Sequence, residues 1–183
     1  MEISIIMAGF GGQGALFAGQ LLAYAGMDGG KHVTWIPSYG PEMRGGTANC
    51  CVIIGDEPIG APIVARPDVA VVFNRPSFDK YEPLVKEGGL LVVNSTIVHV
   101  KSQRSDLETV YVPANRIAEE SGSIKMLNMA MTGALLARRP CVPLDALETA
   151  LRNHLPVSKA HLLESNVSAL RRASEMARST LSA

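Results

Sequence analysis

Met7-Ala-Gly-Phe-Gly-Gly-Gln-Gly14, close to the start of the chain, is the segment from which the fold can be inferred. Ahead of it runs Ile3-Ser-Ile-Ile-Met7, short, apolar and rich in β-branched residues. Behind it comes Ala15-Leu-Phe-Ala-Gly-Gln-Leu-Leu-Ala-Tyr-Ala25, a run of helical composition. Gly9, Gly11 and Gly14 fit G-x-G-x-x-G in the strand-to-helix setting that gives this pattern meaning. The expected product is a tight turn whose backbone N–H groups face outward at a helix N-terminus, an arrangement suited to a phosphate, a pyrophosphate or another anion. Gly11 and Gly12 lack Cβ atoms, so a ligand or a neighbouring chain can come close to the backbone. The blander reading is a packing turn alone.

The residues that follow extend this start into an α/β pattern. Residues 3–7 are expected to be the first strand of a parallel sheet, and about 13–28 the helix after it, with Leu16, Gly19, Gln20, Ala23 and Met27 on one face. His32-Val-Thr-Trp-Ile36 reads as the second strand, stopped by Pro37. A dinucleotide-binding unit would place an acid at that strand end to hold the ribose hydroxyls. Here the strand end reads Ile36-Pro-Ser-Tyr39, and the first acid beyond it is Glu42, which counts against an NAD dehydrogenase. Residues 47–54, 68–74, 90–94 and 109–112 read as further buried strands, with a short helix opened by Pro76 between the second and third of these. From residue 114 onward the pattern is helical, over 114–120, 124–138, 144–155 and 158–176. The expectation is a single Rossmann-like or flavodoxin-like domain over residues 1–183, with a mainly parallel sheet, helices on both faces and a helical C-terminal part.

Between the second and third strands lies Ser38-Tyr-Gly-Pro-Glu-Met-Arg-Gly-Gly46. Three glycines, a proline, an acid, a base and a phenol within nine residues suit a shaped loop at the carboxyl edge of a sheet better than helix or strand. The alternative is an irregular surface loop with an internal Glu42–Arg44 interaction.

Composition narrows the function classes. Seventeen Lys and Arg balance seventeen Asp and Glu, so no basic footprint for nucleic acid or an anionic membrane exists. Zero net charge with 47% hydrophobic residues leaves little to oppose self-association. No apolar run reaches a membrane span, and a cytoplasmic location is expected. Cys50, Cys51 and Cys141 form no CxxC, so no zinc or iron–sulfur site is expected in the chain; Cys50 and Cys51 read as small core residues. His32, His99, His154 and His161 show no metal-ligand spacing and no nearby carboxylate pattern. No nucleophile–base pair or paired carboxylates stand out, so the chain reads as a binding or docking domain with no catalytic residue of its own.

Residues 9–14 and 38–46 together closely resemble the gamma subunit, or gamma domain, of 2-oxoacid:ferredoxin oxidoreductases. The resemblance continues through Asp68-Val-Ala-Val-Val-Phe-Asn-Arg-Pro76 and Gly88-Gly-Leu-Leu-Val-Val-Asn-Ser95, covering residues 1–95 and the helical tail in outline. The loop Ser38-Tyr-Gly-Pro-Glu-Met-Arg-Gly-Gly46 is more similar to the 2-oxoglutarate and 2-ketoisovalerate types than to the pyruvate type. The resemblance implies an oxygen-sensitive enzyme of anaerobic metabolism that decarboxylates a 2-oxoacid oxidatively, reduces ferredoxin and acylates coenzyme A. It implies thiamine diphosphate in alpha and beta partner subunits, [4Fe–4S] clusters in cysteine-rich partners such as a ferredoxin-like delta subunit, and coenzyme A as a substrate that this chain helps to bind. The residues it points to, for ligand or interface, are Gly9, Gly11, Gly12, Gln13, Gly14, Ser38, Tyr39, Gly40, Glu42, Arg44, Gly45, Gly46 and Asn74. The N–H groups of residues 11–14 would hold the anion, Arg44 would support phosphate charge or a partner carboxylate, and Tyr39 would stack or hydrogen-bond. Isolated, the chain is expected to be a homodimer. The competing assignment is a free-standing nucleotide- or dinucleotide-binding α/β protein.

Overall fold

The computed structural model describes residues 1–39 and 47–180. These form a six-stranded sheet of β1 (Glu2–Phe10), β2 (His32–Tyr39), β3 (Thr47–Gly55), β4 (Val69–Val72), β5 (Leu90–Asn94) and β6 (Glu108–Val112). The order across the sheet is β2-β3-β1-β4-β5-β6. The β1–β4, β4–β5 and β5–β6 pairs are parallel, whereas β3 runs antiparallel to both β1 and β2. The helices are α1 (Ala15–Asp28), α2 (Arg75–Tyr81), α3 (Ala114–Glu120), α4 (Leu127–Arg138), α5 (Leu144–His154) and α6 (Leu163–Ser179). The expected mostly parallel α/β architecture is present. It differs from the expectation in the one reversed strand, β3, which stands between β1 and β2.

The strands alternate their side chains between two cores. Ile5, Met7, Val71 and Val92 face a large core closed by α1 and α3–α6. Ile6, Ala8, Ala70, Val72 and Leu91 face a smaller one closed by Phe78 and Tyr81 of α2 with Val85 and Val98. All residues of β4 and β5 are buried, as strands covered on both faces should be.

Three local differences have clear causes. β2 continues through Pro37 to Tyr39, because an edge strand has one side without a ladder, where a missing N–H breaks nothing. β1 extends past Met7 to Phe10, held by its pairing with β3. In α1 the buried residues are Ala15, Ala18, Gly19, Leu21, Leu22, Ala25 and Gly26, and Met27 is exposed. Gly19 lies over Cys50 and Gly26 over Val33, so the glycines, rather than the larger residues, let α1 sit close on β2 and β3. The same device joins α4 to α6, where a Cβ on Gly133 would overlap the carbonyl of Leu170.

Candidate functional site

β1 leads into α1 on the large-core face, and its parallel neighbour β4 leads into α2 on the opposite face. Chain leaving two adjacent strands in opposite directions opens a crevice at their carboxyl ends, where α/β folds bind ligands. The glycine turn and Asn74 occupy that place.

The turn is fixed from inside. Gln13 N–H donates to the Phe10 carbonyl at 3.1 Å, and the Gln13 side-chain oxygen accepts from Phe10 N–H at 2.7 Å. That oxygen also accepts from Asn74 Nδ2 at 3.4 Å, while Asn74 Oδ1 caps α2 by accepting from Ser77 N–H at 2.9 Å. Gly9 lies in β1 rather than in the turn. A Cβ there would stand 2.7 Å from Gln13 Oε1 and 2.8 Å from Phe73 Cβ, so this glycine serves close packing. The Gln13 side-chain oxygen and the Asn74 carboxamide are thus engaged by the chain itself.

What faces outward is backbone. Gly12 and Gly14 adopt φ of 96° and 79°, the left-handed region in which glycine carries no steric cost. Gly11 and Gly12 are exposed, and Gly14 opens α1 with no side-chain cap. The N–H groups of Gly11, Gly12, Gly14 and Ala15 have no acceptor among the described residues. Donors without an acceptor at the positive end of a helix can receive an anion without any cationic side chain.

The second signature segment is anchored at the same edge. Thr47 pairs with Phe10 and Ala48 with both Gly9 and Tyr39, which sets the Thr47 end of the 40–46 segment beside the root of the glycine turn and the Tyr39 end one strand further out. Ser38 is exposed and pairs with Asn49, and Tyr39 ends β2. Gly40, Glu42, Arg44, Gly45 and Gly46 lie outside the described residues. The intervening β3 moves the end of β2 two strand spacings, about 10 Å, from β1. An acid there would have been too far from the turn to serve as the ribose ligand of a dinucleotide site, a second argument against NAD.

Further carboxamides line this edge that sequence reading did not single out. Asn94, fully buried, donates to Asn115 Oδ1 at 3.0 Å and to the Phe73 carbonyl at 3.4 Å, and accepts from Thr96 N–H at 3.2 Å. Asn128, in the first turn of α4, donates to the Gly14 carbonyl at 3.3 Å. The signal for Asn94 was its place at the carboxyl end of a buried strand, as with Asn74; Asn128 gave none.

The cysteines are not poised for chemistry. Burial beneath α1 pushes the Cys50 thiol up to about 12, and burial raises Cys141 to about 11. Cys51, also raised by burial, points to the opposite face of β3 from Cys50. Spread in this way, the three do not fit an iron–sulfur cluster, and no group of His, Cys, Asp or Glu among the described residues is arranged to hold a metal ion. His154 stacks on Tyr24 at 3.8 Å and stands 3.7 Å from Asp28, so it has a carboxylate neighbour that the sequence did not suggest. No helix among the described residues is long and apolar enough to cross a membrane.

The family model described as pyruvate ferredoxin/flavodoxin oxidoreductase matches residues 4–176. The chain is 43% identical over 136 residues to ketoisovalerate oxidoreductase subunit VorA of Methanothermobacter marburgensis, covering 74% of this chain and 28% of that one. It is 36% identical over 159 residues to 2-oxoglutarate synthase subunit KorC of Methanocaldococcus jannaschii, covering 85% of each. The chain therefore spans little more than a quarter of VorA and most of KorC. Among solved structures, the keto/oxoacid ferredoxin oxidoreductase gamma subunit of Geobacter sulfurreducens superposes with a TM-score of 0.81 at 30% identity, over 99% of both chains.

Proposed function

The chain belongs to the pyruvate ferredoxin/flavodoxin oxidoreductase family as a gamma-type unit, and from this premise we propose that it presents coenzyme A to a multi-subunit 2-oxoacid:ferredoxin oxidoreductase. The overall reaction converts a 2-oxoacid anion, coenzyme A and two oxidised ferredoxins into acyl-coenzyme A, carbon dioxide, two reduced ferredoxins and a proton. Thiamine diphosphate and iron–sulfur clusters, held by partner subunits, supply the decarboxylation and electron-transfer chemistry. This chain contributes binding and orientation. The observation that carries the reading is the set of N–H donors of Gly11, Gly12, Gly14 and Ala15, without an acceptor among the described residues, at the N-terminus of the 14-residue α1. They receive a phosphate of coenzyme A, the pyrophosphate or the 3′-phosphate, with Arg44 adding charge and Tyr39 a stacking or hydrogen-bonding surface. VorA and KorC, with their named 2-oxoacids, support 2-ketoisovalerate or 2-oxoglutarate as the substrate.

Gly11 supplies the test, since it is exposed and lacks a positive φ. Gly11→Asp places a carboxylate where the phosphate would bind. In the assembled enzyme it should raise the KM for coenzyme A at least about tenfold while leaving subunit association and the KM for the 2-oxoacid unchanged. An unchanged KM for coenzyme A removes the glycine turn from the site.

A second role, in assembly, is favoured by the exposure of the edge strand β2. α2 closes the smaller core over β1, β4 and β5 but does not reach β2, where Ile36 remains 41% exposed. Partner subunits would cover this face, and in the isolated chain two copies would pair through it. Ile36→Lys should lower co-purification with the partners and leave the thermal stability of the isolated chain unchanged; retained association would rule the face out.

A further inference from the structure

We infer that Asn128 is a positioning residue for the glycine turn, through which the C-terminal helical layer sets the geometry of the anion-binding edge. The inference rests on the ligand reading above. Asn128 lies 114 residues beyond Gly14 and is 4% exposed. Both ends of its carboxamide are engaged, with Nδ2 donating to the Gly14 carbonyl at 3.3 Å and Oδ1 accepting from Met129 N–H at 3.0 Å. The contact with Gly14 is direct, since a Cβ added there would stand 2.6 Å from Nδ2.

The function follows from what that carbonyl would otherwise do. Gly14 holds the left-handed φ of 79° that turns the chain into α1, and its carbonyl already accepts from Ala18 N–H at 3.0 Å. Asn128 occupies the remaining lone pair, so the edge offers an anion donors and no free carbonyl dipole at this point. It also fills the space between the first turns of α1 and α4, so the turn cannot move toward α4 without overlap. Gln13 and Asn74 fix the turn from the β1–β4 side, and Asn128 fixes it from the helical side. α4 can act as this stop because it is itself immobilised, its Gly133 lying against the backbone of Leu170 in α6.

The experiment uses the assembled enzyme with coenzyme A as the probe and compares Asn128→Ala, Asn128→Asp, Gly11→Asp and, as a buried control in the same helix, Thr132→Val. Asn128→Ala should raise the KM for coenzyme A about fivefold, the loss of one hydrogen bond's contribution, with kcat and the KM for the 2-oxoacid within about twofold. Amide exchange of residues 11–15 should accelerate in the same variant. Asn128→Asp keeps the shape and the bond from Met129 N–H but cannot donate to Gly14, so it should raise the KM further; it is the variant read if Asn128→Ala fails to assemble. Thr132→Val, which loses the bond to the Asn128 carbonyl, should lower thermal stability without moving the KM. An unchanged KM in both Asn128 variants, with a raised KM in Gly11→Asp, overturns the inference and leaves the ligand reading standing. An unchanged KM in Gly11→Asp overturns both.

Discussion

The two ends of the sheet are built from opposite chemistry. At the amino ends the strands are tied by charge. Asp56, after β3, binds the Met1 amino group at 2.6 Å and Lys31 before β2. Asp68, before β4, binds Lys86 at 2.6 Å and accepts from Ser4 Oγ and N–H. Arg104 pairs with Asp106 ahead of β6, and Glu108, the first residue of β6, is held by Arg138 and Arg139. At the carboxyl ends of β1, β4 and β5 the ties are Gln13, Asn74, Asn94 and Asn128, all neutral. Carboxamides satisfy backbone groups without adding net charge, so these ties do not oppose the positive potential of the helix terminus. One end stabilises the sheet, and the other keeps its donors available.

If that division is correct, substitutions at the two ends should separate stability from ligand affinity. The largest stability effect should come from Glu108→Ala, which removes the counter-charge of two arginines, one of them, Arg138, 9% exposed at its side chain. A loss of about 2–3 kcal/mol is expected in denaturant unfolding, with no change in the KM for coenzyme A in enzyme that still assembles. Gly11→Asp should do the reverse, moving the KM with little change in unfolding. A Glu108→Ala variant of unchanged stability, or with a raised KM, would break the comparison.

The smallest effect is a pH dependence at the amino end. The hydrogen bonds from Lys31 and from the Met1 amino group lower the Asp56 carboxyl to about 2, below its ordinary value near 4. A depressed folded value favours the folded state above the unfolded pKa, and the contribution disappears as pH falls from about 4 to about 2. Acid titration of the wild type and Asp56→Asn should therefore show curves that differ above pH 4 and converge at the bottom of that window. Curves with a constant offset throughout would show that the ion pairs do not set the acid response.

What the sequence disclosed, and what it did not, follows from the range of each interaction. The glycine turn, β1 and α1 are local, and their pattern is carried by adjacent residues, so they were legible. The reversal of β3 was not, because Ala48-Asn-Cys-Cys-Val-Ile-Ile54 is a buried apolar run that reads the same in either direction. Pro37 was read as a stop because its edge position depends on β3 occupying the inner place. In α1 the face expected from spacing, Leu16, Gly19, Gln20, Ala23 and Met27, shares only Gly19 with the buried stripe, because the close approach of the sheet selects Gly19 and Gly26. Gln13 and Asn74 meet through a side-chain contact spanning 61 residues, which no local pattern encodes. Asn128 touches Gly14 across 114 residues, beyond any local pattern.

The central claim, that the neutral carboxyl end receives the anion, is tested most directly by hydrogen exchange on the assembled enzyme with and without coenzyme A. Added coenzyme A should slow exchange at the amides of residues 11–15 and leave residues 55–57 and 106–108, at the amino end, unchanged. Unaltered exchange at residues 11–15 in enzyme saturated with coenzyme A would contradict the account.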